Sequence, residues 1–132
     1  MIGVDTNVLA RLFVDDGSPE RQKVLAYFTG ASQREVAFVS MIVLVEFAWL
    51  LSTRYEFPRR AILDAVSALL ENAGFLVQRE DLVIQAVERG YAEGVGIADY
   101  LIAALAREAG CSATVTFDRN AAKRVPGMSL LK

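Results

Sequence analysis

The sequence has no histidine and a single cysteine, Cys111, among its 132 residues. Without histidine there is no imidazole general base, no Ser-His-Asp constellation and no His-ligated metal. One cysteine allows neither an intrachain disulfide nor a multi-cysteine zinc site, and it suits a reducing, cytoplasmic setting. Long apolar runs are also missing. The longest nearly apolar stretch, Met41 to Leu51, covers eleven residues and contains Glu46, whereas a membrane-crossing helix needs about 20. The opening Met1-Ile2-Gly3-Val4-Asp5 lacks the basic segment that begins a secretion signal. Nor is there an excess of positive charge: fourteen Lys and Arg against sixteen Asp and Glu leave −2. Binding to nucleic acid would therefore depend on a local basic patch rather than a global field.

What remains for chemistry is carboxylates, hydroxyls, amides, basic side chains or a bound ion. Hydrophobic residues make up 54% of the chain, enough for the core of one domain spanning 1–132. That share is high for a small monomer and favours a homodimer or an obligate partner.

Short apolar runs alternate with helical patterns. Strands are expected at Met1–Val4, Val36–Val39, Phe75–Val77, Ala113–Phe117 and Met128–Leu131. A helix from Thr6 carries Val8, Leu9, Leu12 and Phe13 on one face; a second starts at Ser18-Pro19 and stops near Gly30. Further helices are expected at Met41–Arg54, after Pro58 to a stop at Gly74, at Asp81–Glu93, at Ile97–Ala109 and, short, at Asn120–Val125. The alternation predicts an α/β fold with a mainly parallel sheet of about five strands, covered on both faces.

Most of the sixteen acids sit at polar faces, turns or helix starts and read as solvated surface. Four stand apart. Asp5 and Asp118 each end an apolar strand and open the next helix. In open parallel sheets ligands bind beyond the carboxyl ends of strands, although Asp also caps helices and makes turns. Glu46 lies among Ile42, Val43, Trp49 and Leu50; buried alone it would cost several kcal/mol, so it must be paired, cation-bound or on an exposed stripe. Asp99 stands in the first turn of its helix, where the helix dipole alone could explain it. Carboxylates gathered at one sheet edge would repel one another. A hard divalent ion removes that penalty, and oxygen-only ligation suits Mg²⁺ or Mn²⁺ acting on phosphates.

Val4-Asp5-Thr6-Asn7, Glu46 in its apolar helix, Ala98-Asp99 and Thr116-Phe117-Asp118-Arg119 resemble, in order and over nearly the whole chain, the PIN-domain ribonucleases. More closely, the pattern resembles the toxins of VapBC toxin–antitoxin pairs. The resemblance implies an α/β/α sandwich, a divalent metal and cleavage of RNA, often tRNA or ribosomal RNA, to 5′-phosphate and 3′-hydroxyl ends. It implies Asp5, Glu46, Asp99 and Asp118 as the catalytic acids, with Asp5, Asp99 and Asp118 as metal ligands. Thr6, Asn7, Thr116 and Asn120 would support them. Asn120 stands where many members carry a further aspartate, and Gly96 where relatives often have an acid, which favours one firmly held ion over two. A homodimer and a cognate antitoxin are the implied partners. The antitoxin would dock a helix near Leu25, Phe28, Trp49 and Ile62, with Trp49 itself expected in the core.

The expected reaction is metal-assisted phosphodiester hydrolysis in the cytoplasm, with Arg11, Arg119, Lys123, Arg124 and Arg59-Arg60 as candidate phosphate contacts. Two other readings fit the residues less well. One is a phosphatase or phosphotransferase with Asp5 as nucleophile, although Asn7 stands where such enzymes place a second aspartate. The other is a catalytically silent interaction module.

Overall fold

The computed structural model describes residues 1–29 and 35–132, so the helix stop expected at Gly30 lies outside the described residues. Among the described residues are five short strands and seven helices, in the order β1 (Ile2–Gly3), α1 (Thr6–Phe13), α2 (Pro19–Thr29), β2 (Ala37–Val39), α3 (Met41–Thr53), α4 (Arg59–Glu71), β3 (Phe75–Val77), α5 (Glu80–Glu93), α6 (Ile97–Glu108), β4 (Thr114–Thr116), α7 (Arg119–Arg124) and β5 (Met128–Leu130). The chain packs as two compact units, Met1–Gln78 and Arg79–Lys132. The α/β class and the parallel pairing are as the sequence predicts. The five strands are hydrogen-bonded as a sheet of three and a sheet of two.

In the first unit β1, β2 and β3 lie in that order, all parallel, with Ile2 opposite Ala37 and Ala37 opposite Phe75. Each crossover is a pair of helices, so consecutive strands run the same way and their carboxyl ends share one edge. Asp5, Ser40 and Gln78 follow β1, β2 and β3 at that edge. The Gln78 Oε1 accepts from the Met41 N–H at 2.8 Å, tying the end of β3 to the start of α3. Ser40 caps α3, its hydroxyl oxygen accepting from the Val43 N–H at 3.2 Å. The core is built on Leu9, Val39, Leu44, Phe47, Leu51, Val66 and Leu69, all essentially inaccessible. Phe13 of α1 meets Phe47 of α3 with ring centroids 5.4 Å apart, within the range for favourable tilted aromatic pairs. The α4 helix ends at the Asn72 cap, two residues before the expected Gly74 stop. There the Asn72 side chain accepts from the Gly74 N–H at 2.8 Å, closing the turn itself.

In the second unit β4 and β5 pair in parallel, Thr114 opposite Met128 and Thr116 opposite Leu130, with α7 as the connection. Val95, Ala103, Ala121 and Val125 form one small hydrophobic cluster, with Tyr100 and Met128 packed against it, and Val83, Ala86 and Leu101 of α5 and α6 are fully buried as well. The α5 helix starts from Arg79, whose φ of 52° and ψ of 48° are left-handed, a conformation costing about 1–2 kcal/mol for a residue with a Cβ. The Arg79 guanidinium is shared by two carboxylates. It donates to both oxygens of Asp81 at 3.1 and 3.0 Å and to both oxygens of Glu108 at 2.8 and 2.7 Å. The clasp joins the start of α5 to the end of α6.

Hydrogen bonds from Arg79 hold the Asp81 and Glu108 carboxyls below their ordinary range, and those carboxylates raise the guanidinium in return. Acids depressed by folding contribute stability above their unfolded values and lose it as pH falls through the folded ones. The clasp therefore contributes at neutral pH and fades below about pH 4, where free Asp and Glu titrate. In low salt Arg79→Gln should melt below the wild type at pH 7, and the gap should narrow as pH falls below about 4. Raising the salt at pH 7 should shrink the same gap, because all three side chains are solvent-accessible. Thermal melts against pH and salt check both.

Candidate functional site

The candidate residues fall on both units. Asp5, Thr6, Asn7 and Glu46 belong to the first, and Asp99, Thr116, Asp118 and Asn120 to the second.

In the first unit the chain leaves β1 in extended conformation, and Asp5 becomes the N-cap of α1. Its Oδ1 accepts from the Val8 N–H at 3.0 Å. Its Oδ2 has no protein partner among the described residues, and Asp5 as a whole is exposed. The cap and the functional position are thus compatible, since one oxygen serves each. Thr6 is the one buried polar side chain among the described residues, 6% exposed. Its hydroxyl donates to Oε1 of Glu46 on α3. Glu46 is itself exposed, so the burial cost that its apolar neighbours suggested does not arise, and the threonine holds it at the edge of the core. Asn7 is exposed; its carbonyl accepts from Arg11 Nη1 at 3.3 Å.

Trp49 departs from expectation. It is 62% exposed, with Ile42 at 80% on the same line of α3. The inward face of this helix is Leu44, Phe47, Ala48 and Leu51. A helix apolar all round leaves open which face turns inward, and here Ile42, Glu46 and Trp49 face out. Phe28 is half-buried and stacks on Phe75 at 5.4 Å; Leu25 and Ile62 are half-buried too.

In the second unit Asp118 repeats the arrangement of Asp5. It follows β4, caps α7, and its Oδ1 accepts from the Ala121 N–H at 3.0 Å. Thr116 fixes the turn, its hydroxyl oxygen accepting from the Asp118 N–H at 3.0 Å. Asn120 lies exposed in the first turn of α7. Asp99 is half-buried in the first turn of α6, where the helix dipole favours its charge. Its Oδ2 lies only 3.4 Å from where a Cβ on Gly96 would stand.

Among the basic candidates, Arg11 is engaged within the fold. Its Nε lies 3.4 Å from Asp16 Oδ2, and its guanidinium also bonds the Asn7 carbonyl. Arg124 donates to the Glu93 carbonyl at 3.0 Å. Arg59, Arg119 and Lys123 are exposed. The residues that sequence reasoning passed over are Ser40 and Gln78, which order the carboxyl edge of the first sheet. A serine directly before an apolar helix was a readable cap signal; the reach of Gln78 to Met41, 37 positions away, was not.

The oxygens on offer are carboxylate, hydroxyl and amide, a donor set that fits a hard divalent cation such as Mg²⁺ or Mn²⁺. Within neither unit do three or more acidic or thiol side chains gather as a metal-holding group among the described residues.

Residues 2–127 match the model of the PIN domain family. The chain belongs to that family. The match runs across both units, and its span includes the positions of all four candidate acids. Among solved structures, the chain is similar to VapC20 of Mycobacterium tuberculosis, a sarcin-ricin loop cleaving toxin, at 25% identity. That likeness covers 93% of this chain and 94% of VapC20, with a TM-score of 0.47. No curated protein matches the chain. No helix among the described residues of this PIN domain is long and apolar enough to cross a membrane.

The Asp5 cap and the Thr6 hydroxyl make sharp probes. Asn caps helices about as well as Asp, so Asp5→Asn should keep the stability of the wild type, whereas Asp5→Ala should lose about 1 kcal/mol. Thr6→Val should cost about 0.5–1.5 kcal/mol, the net contribution of one hydrogen bond, since the exposed Glu46 carboxylate can turn to water, and Thr6→Ser should recover most of it. Urea unfolding of the four variants checks the order.

Proposed function

We propose that this PIN domain is a divalent-metal-dependent endoribonuclease and acts as the toxin of a VapBC-type pair, in the cytoplasm. The observation that carries this reading is the turn after β1. It presents an unshared Asp5 oxygen at the carboxyl end of a parallel strand, beside a Thr6 hydroxyl that fixes Glu46. Family membership supplies the context for Asp5, Glu46, Asp99 and Asp118 as one acidic site.

In the proposed reaction Asp5, Asp99 and Asp118 hold the cation. Bound there, a Mg²⁺ or Mn²⁺ ion would offset the mutual repulsion of the carboxylates and stabilise charge on the phosphoryl oxygens. Glu46 has one oxygen occupied by Thr6, which leaves the other to orient a water and accept its proton. That water attacks phosphorus in line as the bond from phosphorus to the 3′ oxygen breaks, and the 3′ oxygen takes a proton from solvent, giving 5′-phosphate and 3′-hydroxyl ends. The attack does not use the RNA 2′-hydroxyl, so preference for RNA, with tRNA and ribosomal RNA as the proposed targets, must come from binding. Arg59, Arg119 and Lys123 are the exposed cations available to phosphates. Asn120 brings no charge, consistent with one firmly held ion. The exposed apolar line of Ile42 and Trp49 flanking Glu46 suits an antitoxin helix carrying a basic side chain. A homodimer would cover further apolar surface.

The test is cleavage of total cellular RNA by the purified, antitoxin-free protein in Mn²⁺, Mg²⁺ or chelator. Discrete cuts that need the metal should fall by at least about 100-fold in Asp5→Asn and Asp99→Asn, the scale of losing charge stabilisation at a reacting phosphate. Folded protein that cuts none of these RNAs with either metal would overturn the nuclease reading.

A further inference from the structure

An open groove of about 460 Å³ adjoins Asp5 within the first unit. Its walls are β1 with Val4 and Asp5, Val8 of α1, and the face of α2 carrying Lys23, Val24, Tyr27 and Phe28. The volume lies within the range of about 300–1,000 Å³ typical of small-molecule sites. A docked helix would need a longer trough with anchors at successive turns. The lining is apolar apart from Asp5, Lys23 and Tyr27, which suits an occupant with a flat apolar face and an anionic edge.

Tyr27 is braced for such a face. Its ring meets Phe28 edge-on, centroids 5.0 Å apart at 76°, and Phe28 in turn stacks on Phe75 at 5.4 Å and 17°. The edge contact with Phe28 restrains the ring, which lowers the side-chain entropy lost when a base stacks on it, and its 42% exposure leaves room for that base. Lys23 stands one helical turn before Tyr27 on the same face. Among the described residues it has no ion-pair partner, and its ammonium is exposed. Nothing in the family pattern of acids requires a tyrosine or a lysine at these positions.

We infer that this groove seats one nucleoside of a single-stranded RNA segment next to the phosphate at Asp5, with Tyr27 stacking on the base and Lys23 contacting a backbone phosphate. The inference rests on the nuclease reading of Asp5 for its orientation. It adds residues outside the acidic quartet that bind substrate and set its register. Base stacking is tolerant of sequence while groove shape is not, so the groove would favour unpaired segments and discriminate bases by size.

The experiment uses fluorescein-labelled single-stranded RNA octamers, one homopolymer of each base, with the full chain in Mg²⁺. Fluorescence anisotropy gives affinity, and initial rates on the same octamers give KM and kcat. Tyr27→Ala should weaken binding by about 10-fold or more, the scale of one lost stacking contact, while Tyr27→Phe retains it. Lys23→Gln should lower the slope of log affinity against log salt by about 0.7, the share of one single-strand phosphate contact. Both changes should raise KM more than they lower kcat. Melting curves confirm that the variants fold, and Tyr27→Phe and Lys23→Gln keep the test valid if Tyr27→Ala does not. Cleavage with unchanged affinity and KM in Tyr27→Ala and Lys23→Gln would overturn the groove and leave the nuclease standing. Octamers that bind through Tyr27 and Lys23 yet are never cut would support the groove and count against the nuclease. A shift in sedimentation of Tyr27→Ala with RNA affinity unchanged would assign the groove to a second copy of the chain and overturn the inference.

Discussion

A single hydroxyl links the elements that carry the first half of the site. Thr6 stands at the start of α1 and Glu46 lies on α3, yet the Thr6 side chain is buried and donates to the Glu46 carboxylate. The pairing exists only because α1 packs on α3, with Phe13 against Phe47. Once it forms, the residue before Thr6 is Asp5, so the strand-end aspartate and the helix glutamate are set by the same turn. A buried hydroxyl must find an acceptor. That requirement, rather than any preference of Glu46 for its neighbours, keeps the glutamate where it is.

The second organising device is the capping aspartate. Asp5 and Asp118 each close a strand and begin a helix, and each gives one oxygen to an amide three residues on. A carboxylate has two oxygens and about four acceptor positions, so capping uses only part of it. The exposed N–H groups of the helix start also favour a negative charge nearby. Cap and candidate ligand are therefore one role seen at two scales, and neither reading has to exclude the other.

The groove beside Asp5 follows from the same arrangement. Because β1 turns directly into α1, the face of α2 stands across the strand end, and Phe28 and Phe75 hold Tyr27 in place. The acidic balance of the chain argued against broad attraction to nucleic acid. A shaped groove offering Lys23 and the Tyr27 ring would supply local recognition without a basic field.

The element order, the α/β class and the parallel strands were legible from alternation of apolar runs with helical periodicity, and the strand-end acids from their position in that order. The Asp5 cap and the helix start at Ser18-Pro19 were readable because they depend on residues a few positions apart; the Ser40 cap carries the same kind of local signal but was passed over. The faces of α3 were not. Its residues are apolar all round, so only packing decided that Leu44, Phe47 and Leu51 turn inward while Ile42 and Trp49 face solvent. The engagement of Arg11 with Asp16 and Asn7, and of Arg79 with Asp81 and Glu108, likewise arises from the folded geometry. By itself the sequence determined which residues could do chemistry, since the absence of histidine leaves that to carboxylates and the strand-helix alternation puts two of them at strand ends. Only the tertiary structure decided which partners those residues have, because a hydrogen bond such as Thr6 to Glu46 joins positions whose separation along the chain carries no local signal.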